Sequence, residues 1–112
     1  MNIRIHVRHD AASERIQRYI TTEFEQLRLA YEVISADFVV DSEGPNGHVK
    51  MFESIVHVPG DTFTVKETAD EIHKAIDASM KVIEKLLKRH KETYLHPGSL
   101  IRHNVERRQP SQ

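Results

Sequence analysis

Residues 68–94 read TADEIHKAIDASMKVIEKLLKRHKETY, twenty-seven positions without a glycine or proline, and His96-Pro97-Gly98 ends the run. On a wheel of about 100° per residue, Ile72, Ile76, Ile83, Leu87, His90 and Tyr94 fall in one narrow sector. That sector needs an apolar surface to lie on, so the stretch predicts a long amphipathic helix packed on something flat. His90, on this apolar side, is expected to be a hydrogen-bonded histidine at the core edge.

The flat surface is found upstream. Ile3, Ile5 and Val7 alternate with Arg4, His6 and Arg8, the period-two pattern of a half-buried strand with a basic outer face. Asp10 and Ser13 are candidate caps for a first helix carrying Ile16, Ile20, Phe24, Leu27 and Tyr31 at steps of three and four. Residues 33–43 and 48–58 are rich in β-branched and apolar side chains, separated by Gly44-Pro45-Asn46-Gly47. After the turn Pro59-Gly60-Asp61, residues 62–66 predict a short last strand, with Phe63 and Val65 inward. A helix between the first two strands makes a parallel crossover the economical connection. The expected fold is α+β: β-α-β-β-β-α, a four-stranded mixed sheet with two helices packed on one face. Its inward set is Ile3, Ile5, Val7, Phe38, Val40, Phe52, Val56, Val58, Phe63 and Val65, leaving Val39, Met51 and Ile55 on the other face.

Composition narrows the functional classes. At 112 residues and 38% hydrophobic content the chain suits one domain, expected over residues 1–94, with residues 95–112 as a flexible tail. There is no cysteine, which excludes disulfides and thiolate chemistry and fits a reducing cytoplasm. The amino-terminal alternation does not suit a signal peptide, and no run nears the roughly 20 apolar residues that cross a bilayer, so no membrane partner is expected. The net charge is −1, yet it is segregated: residues 1–68 hold 7 Lys/Arg against 11 Asp/Glu, and residues 69–112 hold 9 against 6.

Much of that basic charge is on the long helix. Lys74, Lys81, Lys85 and Lys88 project opposite the apolar sector, with Arg89 at the margin, in a ridge about 20 Å long at a rise of about 1.5 Å per residue. Such a ridge suits a phosphate backbone, because neutralising phosphates releases counterions without exacting geometry. The plain alternative is a solvated helix face, with lysines favoured by the helix dipole and Glu67, Asp70 and Glu71 favoured at its other end. The carboxy-terminal part of the ridge reads free of interleaved acids, and Arg4 and Arg8 on the first strand are expected to extend it.

The run Glu71-Ile72-His73-Lys74-Ala75-Ile76-Asp77, followed by Ile83, Lys85, Leu87 and Lys88-Arg89-His90-Lys91, resembles the second helix of the ribosome hibernation and translation-inhibitor proteins, short form, of the sigma-54 modulation type. Val56-His57-Val58-Pro59-Gly60-Asp61-Thr62-Phe63 is similar to that family's last hairpin, and the likeness covers residues 1–94. The resemblance implies a cytoplasmic factor that docks on the small ribosomal subunit, against rRNA in the mRNA and tRNA channel, and inhibits translation in resting cells. It implies contacts from Lys74, Lys85, Lys88, Arg89 and Lys91, with Arg4 and Arg8 by location. Together with Lys81 from the ridge these are the candidate RNA-binding residues. Val82 and Leu86 stand where the family carries a basic residue and a glutamine, which thins the ridge. The residues after Tyr94 are too few for the dimerising domain of longer members, so a monomer or weak homodimer is expected.

Other chemistries find little support. Eight histidines include His6, His48 and His57 on strands, but no His-Glu-x-x-His spacing occurs and no carboxylate is fixed relative to them, so no metal or other cofactor is expected. Ser13, Ser35, Ser54 and Ser79 lack a nucleophile-elbow context, and Gly44–Gly47 is not followed by a phosphate-loop lysine, so neither catalysis nor a small-molecule substrate is expected. The competing class is a protein-interaction module using Val39, Met51 and Ile55 on the outer sheet face.

Overall fold

Alternation of apolar and polar residues builds a sheet whose inner rows are aliphatic and aromatic, and a computed structural model describes it over residues 2–8 and 13–95. Of the expected tail, Leu95 is the last residue of the second helix and residues 96–112 lie outside the described residues, as do the candidate cap Asp10 and the side chain of Tyr94. The elements run β1 (Asn2–Val7), α1 (Ser13–Ala30), β2 (Ser35–Glu43), β3 (Val49–Val58), β4 (Asp61–Ala69) and α2 (Ile72–Leu95), with a 3-10 turn at Pro45–Gly47. The strand order is β1-β2-β3-β4. β1 runs parallel to β2 with Ile5 opposite Phe38, and the other pairs are antiparallel. The expected fold class is thus the observed one.

Both helices contribute to one core. Ile16, Ile20 and Phe24 of α1 and Ile72, Ala75, Ile76, Met80, Ile83 and Leu87 of α2 cluster with Ala36, Phe38, Val40, Phe52, Val56, Val58 and Val65. Ile3, Ile5, Val7 and Phe63, expected inside, are half-buried at its borders. At the centre the Phe38 ring stacks on Phe52 at 5.5 Å and meets Phe24 edge-on at 5.1 Å, arrangements that aromatic quadrupoles favour. α1 packs over β1, and α2 over β3 and β4.

The turns use the backbone freedom their residues allow. Gly47 has φ +64°, and a Cβ there would stand 3.3 Å from the Ser42 Cβ, so glycine is needed twice over. Pro59-Gly60, with Gly60 at φ +81°, closes the β3–β4 hairpin in the manner of a type II turn.

Two expectations are corrected. β4 does not end at residue 66: it continues to Ala69, because Glu67, Thr68 and Ala69 find partners in Phe52, Met51 and Lys50 of β3. Consequently α2 starts at Ile72 and not at residue 68, and Glu67 lies in a strand, away from any helix terminus. Met51, assigned to the outer face as a spare apolar residue, is only 8% exposed, while Val39 and Ile55 are half-buried. That face is laced by charge pairs: Arg4 Nε to Asp37 Oδ1 at 2.6 Å, Arg8 to Asp41 at 3.5 Å and Lys66 to Glu43 at 3.6 Å. The bare patch that an interaction module needs is reduced accordingly.

Candidate nucleic-acid interface

α2 carries the ridge because its inner sector is locked. Ile76 and Ile83 are fully buried, and near its end His90 Nε2 bonds the Pro59 carbonyl oxygen at 2.7 Å with its ring edge-on to Phe63. His90 is thus the hydrogen-bonded core-edge histidine the sequence led us to expect. With the inner side pinned at both ends, rotation of the helix is fixed and the opposite side chains must face solvent.

The lysines of that outer side have different neighbours. Lys74 pairs with Asp70 one turn back at 3.1 Å, an exposed pair that also holds the Asp70 carboxyl below its ordinary value. Lys81 lines an open cleft between the helices with Glu23, Asp77 and Glu84. Lys91 reaches across to α1, where its Nζ donates to the Ala30 carbonyl at 3.5 Å and sits 5.6 Å over the Tyr31 ring. A cation at a helix carboxy terminus favours the dipole there, so Lys91 has a structural task. Lys85, Lys88 and Arg89 are exposed and make no ion pair among the described residues.

Residues 3–94 match the profile of the family described as Sigma 54 modulation protein / S30EA ribosomal protein. The chain belongs to this family. It is not a known enzyme family. The fold is shared with a ribosomal subunit interface protein from Coxiella burnetii, whose solved structure matches with TM-score 0.69 at 19% identity, covering 82% of this chain and 99% of that one. The Thermus thermophilus Protein Y N-terminal domain matches with TM-score 0.70 at 24% identity, covering 80% and 98%. No sequence match is found among curated proteins.

Within this S30EA-family fold, not all candidate residues come together. Ile3, Ile5 and Val7 face the helices, so Arg4 and Arg8 point from the opposite face of the sheet, and each is paired with an acid of β2. They do not extend the ridge. Arg4 also holds the Asp37 carboxyl low, chiefly through their hydrogen bond, with His57 Nε2 3.6 Å from the same carboxylate. The ridge is less free of acid than its reading suggested, since Glu92 follows Lys88 by one turn on the same exposed side.

Sequence reasoning also missed the tie between the helices. The Tyr19 hydroxyl donates to Asp77 Oδ1 at 2.5 Å, which pushes its pKa up to about 12, and its ring meets His73 edge-on at 4.6 Å. The wheel that defined the ridge also puts Asp77 and Glu84 beside it, which was the available signal.

Proposed function

We propose that this protein binds the small ribosomal subunit in the cytoplasm, laying the outer flank of α2 against rRNA in the mRNA and tRNA channel, and so inhibits translation and promotes ribosome hibernation. The observation that carries the reading is the cluster Lys85, Lys88 and Arg89: exposed, close together and without an ion pair among the described residues. A salt-bridged lysine must give up a partner to meet a phosphate, whereas these three exchange only water and counterions. Membership of a ribosomal-protein family, and a similar fold in a protein described as a ribosomal subunit interface protein, support the same partner. Lys74 adds a contact once released from Asp70, at small cost because exposed pairs are weak. Arg4, Arg8 and Lys91 take no direct part.

The test is sedimentation through a sucrose gradient with purified ribosomal subunits. The wild-type chain is expected to travel with the small subunit and to lose affinity steeply between 50 and 200 mM salt. The triple variant Lys85→Glu/Lys88→Glu/Arg89→Glu should remain folded and stay at the top of the gradient. Undiminished co-sedimentation of that variant refutes the assignment.

A further inference from the structure

The two helices differ in what they can offer to RNA. α1 carries Glu14, Glu23 and Glu25 against Arg15, Arg18 and Arg28, so its formal charge cancels. Two of those arginines are already engaged along the helix, Arg18 with Glu14 at 3.8 Å and Arg28 with Glu25 at 2.8 Å. The cleft between α1 and α2 has Tyr19, Leu27 and Met80 in its lining, together with Glu23, Asp77, Glu84 and a single cation, Lys81. Lys81 therefore stands among three carboxylates. On the wheel of α2, Asp77 and Glu84 fall on the side that Tyr19 and Ala30 mark as facing α1, while Lys85 and Arg89 turn the other way. Lys88 stands between them, one turn beyond Glu84 and about 16 Å along the axis from Asp77 at about 1.5 Å per residue.

We propose that Glu23, Asp77 and Glu84 act as an acidic wall, a specificity determinant that keeps phosphate off Lys81 and confines the RNA backbone to the flank of α2 facing away from α1. The inference rests on the ribosome-binding reading above and sharpens it. A phosphate drawn to Lys81 would stand within about one screening length, about 8 Å, of the wall, where three like charges outweigh one opposite charge. The footprint is consequently a single helix flank of about three or four phosphates, and log K should fall with log salt with a slope of about −3. A strand or duplex lying across both helices is excluded, and only an RNA edge that approaches α2 from its free side fits.

The experiment uses the full chain and purified small ribosomal subunits from 50 to 200 mM salt. Glu23 and Glu84 are the residues to neutralise, because Asp77 also accepts the Tyr19 hydroxyl. The Glu23→Gln/Glu84→Gln variant should bind about three- to tenfold more tightly at the low-salt end, by Coulomb's law for two removed charges. Its salt slope should steepen by about 0.9, the signature of one additional phosphate at Lys81. Lys81→Met should leave wild-type affinity unchanged and cancel the gain when added to the double variant. Unchanged or weaker binding by the double variant overturns the wall, as does a Lys81→Met loss as large as that of Lys85→Met. If the wild type binds and the Lys85/Lys88/Arg89 reversal does not, such a failure removes the wall alone. If the wild type does not bind the subunit, both proposals fall together.

Discussion

Ser54 of β3 and Ser79 of α2 are fully buried in the helix–sheet layer, and neither hydroxyl has a hydrogen-bond partner among the described residues. A buried hydroxyl without a partner carries its desolvation cost, about 1–3 kcal/mol, with nothing to offset it. Ser79→Ala should lift that penalty and gain about 0.5 kcal/mol of helix propensity, against a small loss of contact. The net expectation is a stabilisation of about 2 kcal/mol, or a Tm higher by about 10 °C for a domain of this size. Ser54→Ala gains less, about 1 kcal/mol, because alanine is a poorer strand former. Urea unfolding followed by circular dichroism is the assay, with the midpoint rising at constant m. Ribosomal-subunit binding should not change, since neither side chain reaches the surface. A fall in midpoint for Ser79→Ala would show that its hydroxyl is bonded in solution, as a trapped water allows, and would refute the reasoning.

Tyr19→Phe should cost about 1 kcal/mol, and alkaline spectrophotometric titration should lose a tyrosine that ionises near pH 12. With the folded pKa raised above the unfolded value of 10.0, the tie's stabilisation is full below pH 10 and disappears as pH rises towards 12, a loss the variant should not show. Asp37 is the opposite case: Arg4 lowers its folded pKa below 3.8, so its contribution is present above that value and is lost as pH falls through the lowered one. Acid unfolding of Asp37→Asn should therefore be less steep below pH 4 than that of the wild type. Phe38→Ala removes the middle ring of the Phe24–Phe38–Phe52 stack and should cost about 3–5 kcal/mol in the same urea assay.

What could be read from the sequence follows the range of each physical signal. The inner rows of β1, β2 and β3 were legible because one-face burial imposes period two, and the parallel pairing followed from the intervening helix. The start of α2 was not, because residues 67–69 carry no breaker and three nearby acids imitate a helix entrance. Their conformation is decided by Lys50, Met51 and Phe52, seventeen residues or so upstream, which no local pattern contains. The orientation of Arg4 and Arg8 was implicit: if Ile3, Ile5 and Val7 meet the helices, their neighbours must leave on the far side. Their pairing with Asp37 and Asp41 depended on the strand register. The separation of Lys85, Lys88 and Arg89 from Lys74, Lys81 and Lys91 needed the neighbouring helix, because only the placement of α1 tells which lysines have company.

That separation reconciles a formal charge of −1 with the phosphate-binding surface proposed above. At physiological ionic strength a charge is felt over about 8 Å, less than the thickness of a helix laid on a sheet. Asp37, Asp41 and Glu43, paired on the far face, therefore weigh little on a phosphate beside Lys88, although they enter the total in full. The acids that matter are near ones: Glu92 on the ridge, and Glu23, Asp77 and Glu84 in the cleft. Net charge describes the chain at long range, where it bears on solubility and encounter. Under the proposed function the local balance on one helix flank decides whether RNA stays, and there three cations face no nearer acid than Glu92 and Glu84.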